Sequence, residues 1–251
     1  MSRLDRHRPQ PSDPQPSGPK LQGGFRHVKK RVWVSMACCL LLFAVAWVSG
    51  NPANTPSPVI DNERVTVWDL NLKHGDSRVL SRQELDVVNV YLSGGEVSIS
   101  SHGKALQNIQ RTTFDVEFEA AGSEKNERVA GEGPLHVIQI GLKNSPSPQY
   151  TQTGSYPLAF PRPGSKKIFE NARVIVWAYT WTLGAHTPTH FHNKDVVVAY
   201  LGDGMLDSVP VDGKSEITHH TTGEIRFNKA NRTHYEVLKS GHLSAAIVEL
   251  K

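Results

Sequence analysis

The chain has 251 residues, which is enough for one large or two small domains with a sizeable core. Its net charge of +4 is concentrated at the amino end: residues 1–31 carry eight basic and two acidic side chains, which leaves 20 basic and 22 acidic ones elsewhere. The body of the chain is therefore slightly acidic, and nucleic acid is not an expected partner.

The amino end reads as a basic tail followed by an apolar helix. Residues 1–31 are rich in Pro, Ser, Gln and Gly and are predicted to be a disordered tail. Residues 32–50 carry no charge, and as a helix they would span about 28 Å, close to the roughly 30 Å of a bilayer core. We predict a single transmembrane helix here rather than a buried core helix, so the lipid bilayer is an expected partner.

The alternative for this segment is a cleaved signal peptide. Such a peptide has a short basic start and an apolar core of about 7–15 residues, whereas this apolar run is longer and follows a 31-residue tail. We therefore favour an uncleaved anchor. Lys29, Lys30 and Arg31 keep the amino end in the cytoplasm by the positive-inside rule. The expected location is a bacterial inner membrane with the carboxyl-terminal part in the periplasm, held off the membrane by a Pro-rich linker over 51–60.

The exported part contains an internal duplication. Residues 62–95 align with 171–204 at a constant offset of 109, with twelve identities in 34 positions and no gap. The identical pairs include Asn62/Asn171, Arg64/Arg173, Trp68/Trp177, Asp86/Asp195 and Tyr91/Tyr200. The sequence therefore predicts two copies of one structural unit.

Both copies have the pattern of an all-β protein. Short alternating runs such as residues 64–70, 113–119 and 173–181 are separated by Gly, Asn and Asp, which is typical of a sandwich or barrel. We place the first copy at 61–143 and the second at 168–251. Residues 144–167 contain five prolines and are predicted to be a surface connection between the copies.

Candidate metal ligands occur in the second copy only. His190 and His192 are two residues apart, so on a strand their side chains share one face, roughly 7 Å apart. That spacing lets two imidazoles reach one ion, and His234 follows some 40 residues later. In the first copy Ser81 and Gln83 occupy the places of His190 and His192.

These motifs resemble those of the cupin superfamily. The first cupin motif is a Gly, five residues, His-x-His, three or four residues, Glu, six residues and Gly. This chain matches it with Gly184, His190-Phe191-His192, Asp195 and Gly202, except that an Asp replaces the Glu and comes one or two residues early. The second motif is a Gly, five residues, Pro-x-Gly, two residues and His. This chain keeps that spacing with Gly223, Lys229-Ala230-Asn231 and His234, but it lacks the Pro and the turn Gly of the motif. Asn231 can adopt the left-handed conformation that the missing Gly would provide.

The resemblance implies a double-stranded β-helix, or jelly-roll barrel, in each copy: a bicupin in which only the second barrel binds metal. It implies that His190, His192 and His234 bind one divalent transition metal, with Fe favoured and Zn, Ni or Mn as alternatives. The resemblance also allows for a homodimer, since cupin barrels often pair.

Two roles stay open for Asp195. As a fourth ligand it would replace the Glu of the cupin motif. However, Asp86 matches it in a copy without either His, and its spacing and short side chain also point to a structural role.

The other histidines and the aromatic residues have weaker claims. His186 could line the pocket, whereas His219 and His220 are expected to be exposed in a polar loop and His242 to be an ordinary turn residue. Tyr179, Trp181, Tyr200 and Phe227 could wall the cavity but are more typical of plain core.

Two classes of function remain. The first is a metal-dependent enzyme on a small polar molecule, a dioxygenase-type oxidoreductase or a sugar-type isomerase. The second is a non-catalytic metal- or ligand-binding protein of the envelope. The sequence names no catalytic residue and no substrate.

Overall fold

All regular elements among the described residues are β-strands, in keeping with the alternating pattern of both copies. The computed structural model describes residues 56–80, 82, 84–102, 104–146, 150 and 154–251. The predicted tail and transmembrane helix, the first residues of the linker, and Ser81 and Gln83 all lie outside these residues. No helix within the described residues is long and apolar enough to cross a membrane.

The first copy forms two sheets. Its strands are β1 (Ile60–Asp61), β2 (Val65–Leu72), β3 (Ser77–Val79), β4 (Asp86–Tyr91), β5 (Gly95–Ser101), β6 (Gln107–Arg111), β7 (Val116–Glu119), β8 (Lys125–Val129) and β9 (Leu135–Leu142). One sheet has the order β1-β2-β9-β4-β7 and the other has the order β3-β8-β5-β6. All of these pairings are antiparallel.

The second copy forms one sheet around two long strands. Its strands are β10 (Lys166–Glu170), β11 (Val174–Thr180), β12 (His190–His192), β13 (Val196–Pro210), β14 (Glu216–Thr221), β15 (Ile225–Asn228) and β16 (Arg232–Leu250). The path is β10-β11-β16-β13-β14, with β12 paired to β16 and β15 paired to β13. The order β2-β9-β4 of the first copy is thus repeated as β11-β16-β13. β10 starts at Lys166, two residues inside the predicted connection.

One hydrophobic cluster contains residues of both copies. Apolar side chains of β2, β4 and β9 pack against those of β11, β13 and β16, because each of these strands has one apolar face on the side that meets the other copy. Buried members include Val67, Val88 and Ile140 from the first copy and Val176 and Val248 from the second. Each copy also has its own interior cluster.

The connection between the copies runs against the second copy. The Ala159 N–H donates to the Phe191 carbonyl at 2.9 Å, and the Phe191 N–H donates to the Pro157 carbonyl at 2.8 Å. Phe160 is buried and stacks on Trp177 with ring centroids 5.3 Å apart. The connection is therefore a surface link only in part, because residues 157–162 pack beside the strand that carries His190 and His192.

Candidate metal centre

Backbone pairing brings the three predicted histidines together. β12 pairs antiparallel with the start of β16, and this register sets His190 directly opposite His234. His192 lies two residues along β12 on the same face as His190. At the turn before β16, Asn231 has a φ of 62°, which confirms the left-handed conformation expected there.

The ring nitrogens converge at a spacing that suits one metal ion. His192 Nε2 lies 3.2 Å from His190 Nε2 and 3.0 Å from His234 Nε2. Nitrogen ligands at about 2.0–2.1 Å from one divalent ion lie about 2.9–3.4 Å apart for tetrahedral or octahedral angles. Within the described part of the chain, no other group of three or more His, Cys, Asp or Glu side chains brings its possible ligand atoms this close together. The donor set therefore fits a divalent metal.

Hydrogen bonds at the far ring nitrogens orient two of the three imidazoles. His190 Nδ1 lies 2.7 Å from the Pro188 carbonyl oxygen, which can only accept, so this ring carries its proton on Nδ1. His234 Nδ1 lies 2.7 Å from Ser208 Oγ. His192 Nδ1 is buried and has no partner among the described residues. In His234, with Nδ1 donating to Ser208, the Nε2 lone pair faces the cluster, as metal binding requires. The Nε2 lone pair of His190 accepts from Arg162 Nη1 at 3.1 Å, a hydrogen bond that a bound metal would replace.

Burial keeps these rings neutral. Desolvation lowers the pKa of His234 to about 4, and the pKa of His192 falls well below its ordinary value for the same reason. The pKa of His190 is lowered by burial and then by the charge of Arg162. Neutral imidazoles are the form that binds a metal, so the cluster is ready to bind at neutral pH.

A buried ion pair lies against the cluster. Arg162 Nη1 is 3.1 Å from His190 Nε2, and Arg162 Nη2 is 3.0 Å from Glu236 Oε2. Trp181 Nε1 also donates to Glu236 at 3.1 Å. Burial alone would raise the pKa of Glu236, but Arg162, the neighbouring His234 and His190 and the hydrogen bond from Trp181 together outweigh it and hold the pKa at about 2. The carboxylate is therefore ionised, and its charge balances that of the guanidinium.

Comparison with known proteins supports this architecture. No family model and no curated protein matches the sequence. Among solved structures, AerE from Microcystis aeruginosa matches at 13% identity with a TM-score of 0.56, covering 78% of this chain and 97% of that one. Oxalate decarboxylase from Bacillus subtilis matches at 12% identity with a TM-score of 0.53, covering 75% and 68%. A cupin 2 conserved barrel domain protein from Leptotrichia buccalis matches at 17% identity with a TM-score of 0.48, covering 77% and 87%.

The chain has the cupin fold. The all-β jelly roll expected from the His-x-His motif is thus confirmed. At these identities the likeness concerns the fold alone, so the activity has to be argued from the site.

Asp195 lies outside the histidine cluster. Its Oδ1 accepts a hydrogen bond from the Ala230 N–H at 2.8 Å, and its Oδ2 forms an ion pair with Arg64 Nε of the first copy at 3.3 Å. Both oxygens are therefore engaged away from the three imidazoles. Of the two roles left open by the sequence, the contacts favour the structural one.

Asp86, the equivalent residue of the first copy, makes the matching contacts, with its ion pair directed to the second copy. Asp86 Oδ1 accepts from the Ala121 N–H at 3.0 Å, and Asp86 Oδ2 pairs with Arg173 of the second copy at 2.7 Å. Each aspartate thus pairs with the equivalent arginine of the other copy. This reciprocal contact explains why both residue types are present in both copies.

The first copy has a different interior. Glu127 lies at the position equivalent to Glu236, offset by 109 residues, and is 1% exposed. It accepts from Arg78 Nε at 2.8 Å and from the Tyr91 hydroxyl at 2.7 Å. Lys125 stands at the place of His234. Charged and polar side chains thus satisfy one another where the second copy holds its histidines.

A cavity of about 120 Å³ opens beside His192 and His234. Polar and aromatic side chains share its wall: Arg162, Trp181, Tyr200, Ser208, His220, Arg226, Arg232 and Glu236. Trp181 and Tyr200 therefore line the cavity. His186 is not among the lining residues and stacks on Tyr235 instead. A wider cleft of about 620 Å³ shares Ser208, Arg232 and His234 with this cavity.

His220 corrects one expectation from the sequence. It was expected to be exposed with His219, but it is 3% exposed and borders the cavity, because neighbouring residues on β14 face opposite sides. His219 does face solvent, where it meets Asp203 at 3.1 Å.

Sequence reasoning also missed Arg162 and Glu236. Arg162 belongs to a Pro-rich segment that has no periodic pattern, so no sequence signal points to it. The alignment of the two copies at an offset of 109, extended beyond residue 204, pairs Glu236 with Glu127. A glutamate at the same place in both copies was a usable signal for this residue.

Proposed function

We propose that this chain is a bicupin whose second barrel binds one divalent transition metal through His190, His192 and His234 and uses it on a small polar molecule. The observation that carries the proposal is the convergence of three buried histidines, with His192 Nε2 at 3.2 Å from His190 Nε2 and 3.0 Å from His234 Nε2. Three protein ligands leave open positions, at which the metal supplies Lewis acidity or redox chemistry.

The surrounding residues have roles that follow from their contacts. Pro188 and Ser208 orient the rings of His190 and His234. Arg162 presents a guanidinium beside the cluster, where it can donate to an oxygen atom of a bound molecule, while Glu236 keeps that guanidinium in place. Trp181 and Tyr200 exclude bulk water from the cavity wall.

For the metal and the reaction we propose iron and a dioxygenase-type oxidation, since neutral imidazoles with open positions suit O₂ chemistry. Zinc, nickel and manganese remain alternatives, and the oxalate decarboxylase of Bacillus subtilis has Mn(II) centres. The competing functions are a non-catalytic metal or ligand carrier and a sugar-type isomerase.

We further propose that residues 32–50 anchor the barrels to a bacterial inner membrane, with the site in the periplasm. The charge-free run of 19 residues behind Lys29, Lys30 and Arg31 supports this location. The resemblance to cupins, whose barrels often pair, also allows for a homodimer.

Oxygen consumption tests the catalytic form of the proposal. The full-length chain is purified in detergent and loaded with Fe²⁺. It is then mixed in an oxygen electrode with small compounds that chelate metals through oxygen atoms, such as oxalate and catechol. We expect compound-dependent O₂ uptake that disappears in the His190→Ala/His192→Ala double variant. Bound iron with no uptake for any compound would favour the non-catalytic carrier.

A further inference from the structure

A second histidine–carboxylate pair borders the metal cavity. His220 on β14 is 3% exposed and lines the same cavity as His192 and His234. Its ring stacks on Tyr200, with centroids 4.0 Å apart and planes 15° from parallel. The stacking restricts the imidazole to one plane, so its two nitrogens have defined directions.

Glu224 fixes the tautomer of this ring. His220 Nδ1 lies 3.0 Å from Glu224 Oε2. Burial alone would raise the pKa of Glu224, but the hydrogen bonds from Arg226 and His220 and the charge of Arg226 together outweigh it, so its pKa is lowered and the carboxylate is ionised. A carboxylate only accepts, which assigns the proton to Nδ1 and a free lone pair to Nε2.

The Nε2 atom of His220 has no hydrogen-bond partner in the described part of the chain. His220 Nε2 is not among the buried side-chain atoms that lack a partner, so its lone pair is accessible. Beside an open cavity it indicates a place for a ligand's O–H or N–H. Four charged or titratable groups face His220: Tyr200 on β13, Glu224 in the turn before β15, Arg226 on β15 and Glu236 on β16. Burial lowers the pKa of His220, and Glu224 opposes that shift, so the ring is neutral and able to accept.

We propose that His220 is the proton acceptor of the cavity and that the site takes small molecules with a weakly acidic O–H group. The proposal rests on the proposed metal function, because the ligand oxygen has to face the histidine cluster. In the step, the O–H bond of the ligand breaks and an N–H bond forms at His220 Nε2. The electron pair stays on the ligand oxygen, and the Glu224 carboxylate stabilises the imidazolium.

Counting protons tests this role. Zinc content is measured first on the full-length chain, because a chain without zinc contradicts the metal function and not the role of His220. Acetohydroxamic acid, a small chelating O–H acid, is then titrated into the zinc-loaded chain by calorimetry in buffers of different ionisation enthalpy. We expect almost no proton release to the buffer from the wild-type chain, since the bound ligand anion and Glu224 together stabilise the proton on His220.

The variants give the contrast. His220→Gln releases about one proton per bound ligand, because no acceptor is left. His220→Phe, which keeps the stack on Tyr200, behaves in the same way, and Glu224→Gln lies between these variants and the wild type. His219→Gln, one residue away on the exposed face, matches the wild type. Equal proton release from the wild type and both His220 variants, or a zinc-loaded wild-type chain that does not bind the acid, would overturn the proposal.

Discussion

At the level of single residues, the metal affinity of the histidine cluster depends on the hydrogen bonds that orient each imidazole as well as on the imidazoles themselves. Ser208 Oγ lies 2.7 Å from Nδ1 of His234 and fixes that ring. Removing such a partner typically lowers metal affinity about 10–100-fold.

Ser208→Ala is therefore expected to weaken metal binding by about that factor while the protein stays folded. Competition with a chromophoric chelator measures the affinity. Ser98→Ala, which removes an exposed hydroxyl bound to Asn108 in the first copy, serves as the matched control and leaves the affinity unchanged. An unaltered affinity in Ser208→Ala would show that His234 is oriented by other contacts.

The buried histidines also predict how stability depends on pH. The pKa of His234 is about 4 in the folded chain and about 6.5 in an unfolded one. Because the unfolded state takes up the proton first, this contribution is present at neutral pH, falls as the pH drops below about 6.5, and is fully lost only below about pH 4. By pH 5 the loss amounts to about 2 kcal/mol.

Urea unfolding of the metal-free protein at pH 7.5 and pH 5 measures this effect. The free energy of unfolding of the wild type is expected to fall by about 2 kcal/mol more than that of His234→Gln between these two conditions. The same pH dependence in both proteins would mean that His234 keeps its ordinary pKa in the folded state.

At the level of elements, the reciprocal pairs Asp195–Arg64 and Asp86–Arg173 join the strands of one copy to those of the other. The first pair is almost fully buried, whereas the second is partly exposed, with side-chain exposures of 30% for Arg173 and 22% for Asp86. The two pairs should therefore differ in energy, since removing one partner of a buried pair leaves an uncompensated charge.

Asp195→Asn keeps an acceptor for the Ala230 N–H and removes only the charge. We expect it to lower the free energy of unfolding by roughly 3 kcal/mol without changing the metal content. Asp86→Asn, the matched change in the first copy, is expected to cost about 1 kcal/mol or less. Loss of metal in Asp195→Asn alone would restore the fourth-ligand role that the sequence left open.

The elements also show which parts of the site a sequence can reveal. The His-x-His pair and its partner on β16 follow from strand periodicity and motif spacing, because both depend on local geometry. Arg162 and His220 do not follow in this way. Arg162 reaches the site through a Pro-rich connection, and the face of β14 that carries His220 is set by its pairing with β13. Both depend on long-range packing that no local pattern encodes.

At the level of the whole molecule, the duplication accounts for the shared cluster between the copies and for their unequal interiors. The sequence predicted an all-β fold from its short alternating strands, and the resemblance of the motifs around His190, His192 and His234 to those of cupins predicted the jelly roll. The membrane anchor and the periplasmic location stay predictions, as residues 1–55 are outside the described part of the chain.

The central claim is that His190, His192 and His234 bind one metal ion and that the first copy binds none. Elemental analysis of the full-length chain, after metal loading and removal of excess ions, measures this directly. We expect about one ion per wild-type chain and almost none in His190→Ala/His192→Ala, while the double variant of the exposed residues, His219→Ala/His242→Ala, keeps the full amount. Unchanged metal content in the His190/His192 variant, or a wild-type chain that holds no metal, would contradict the claim.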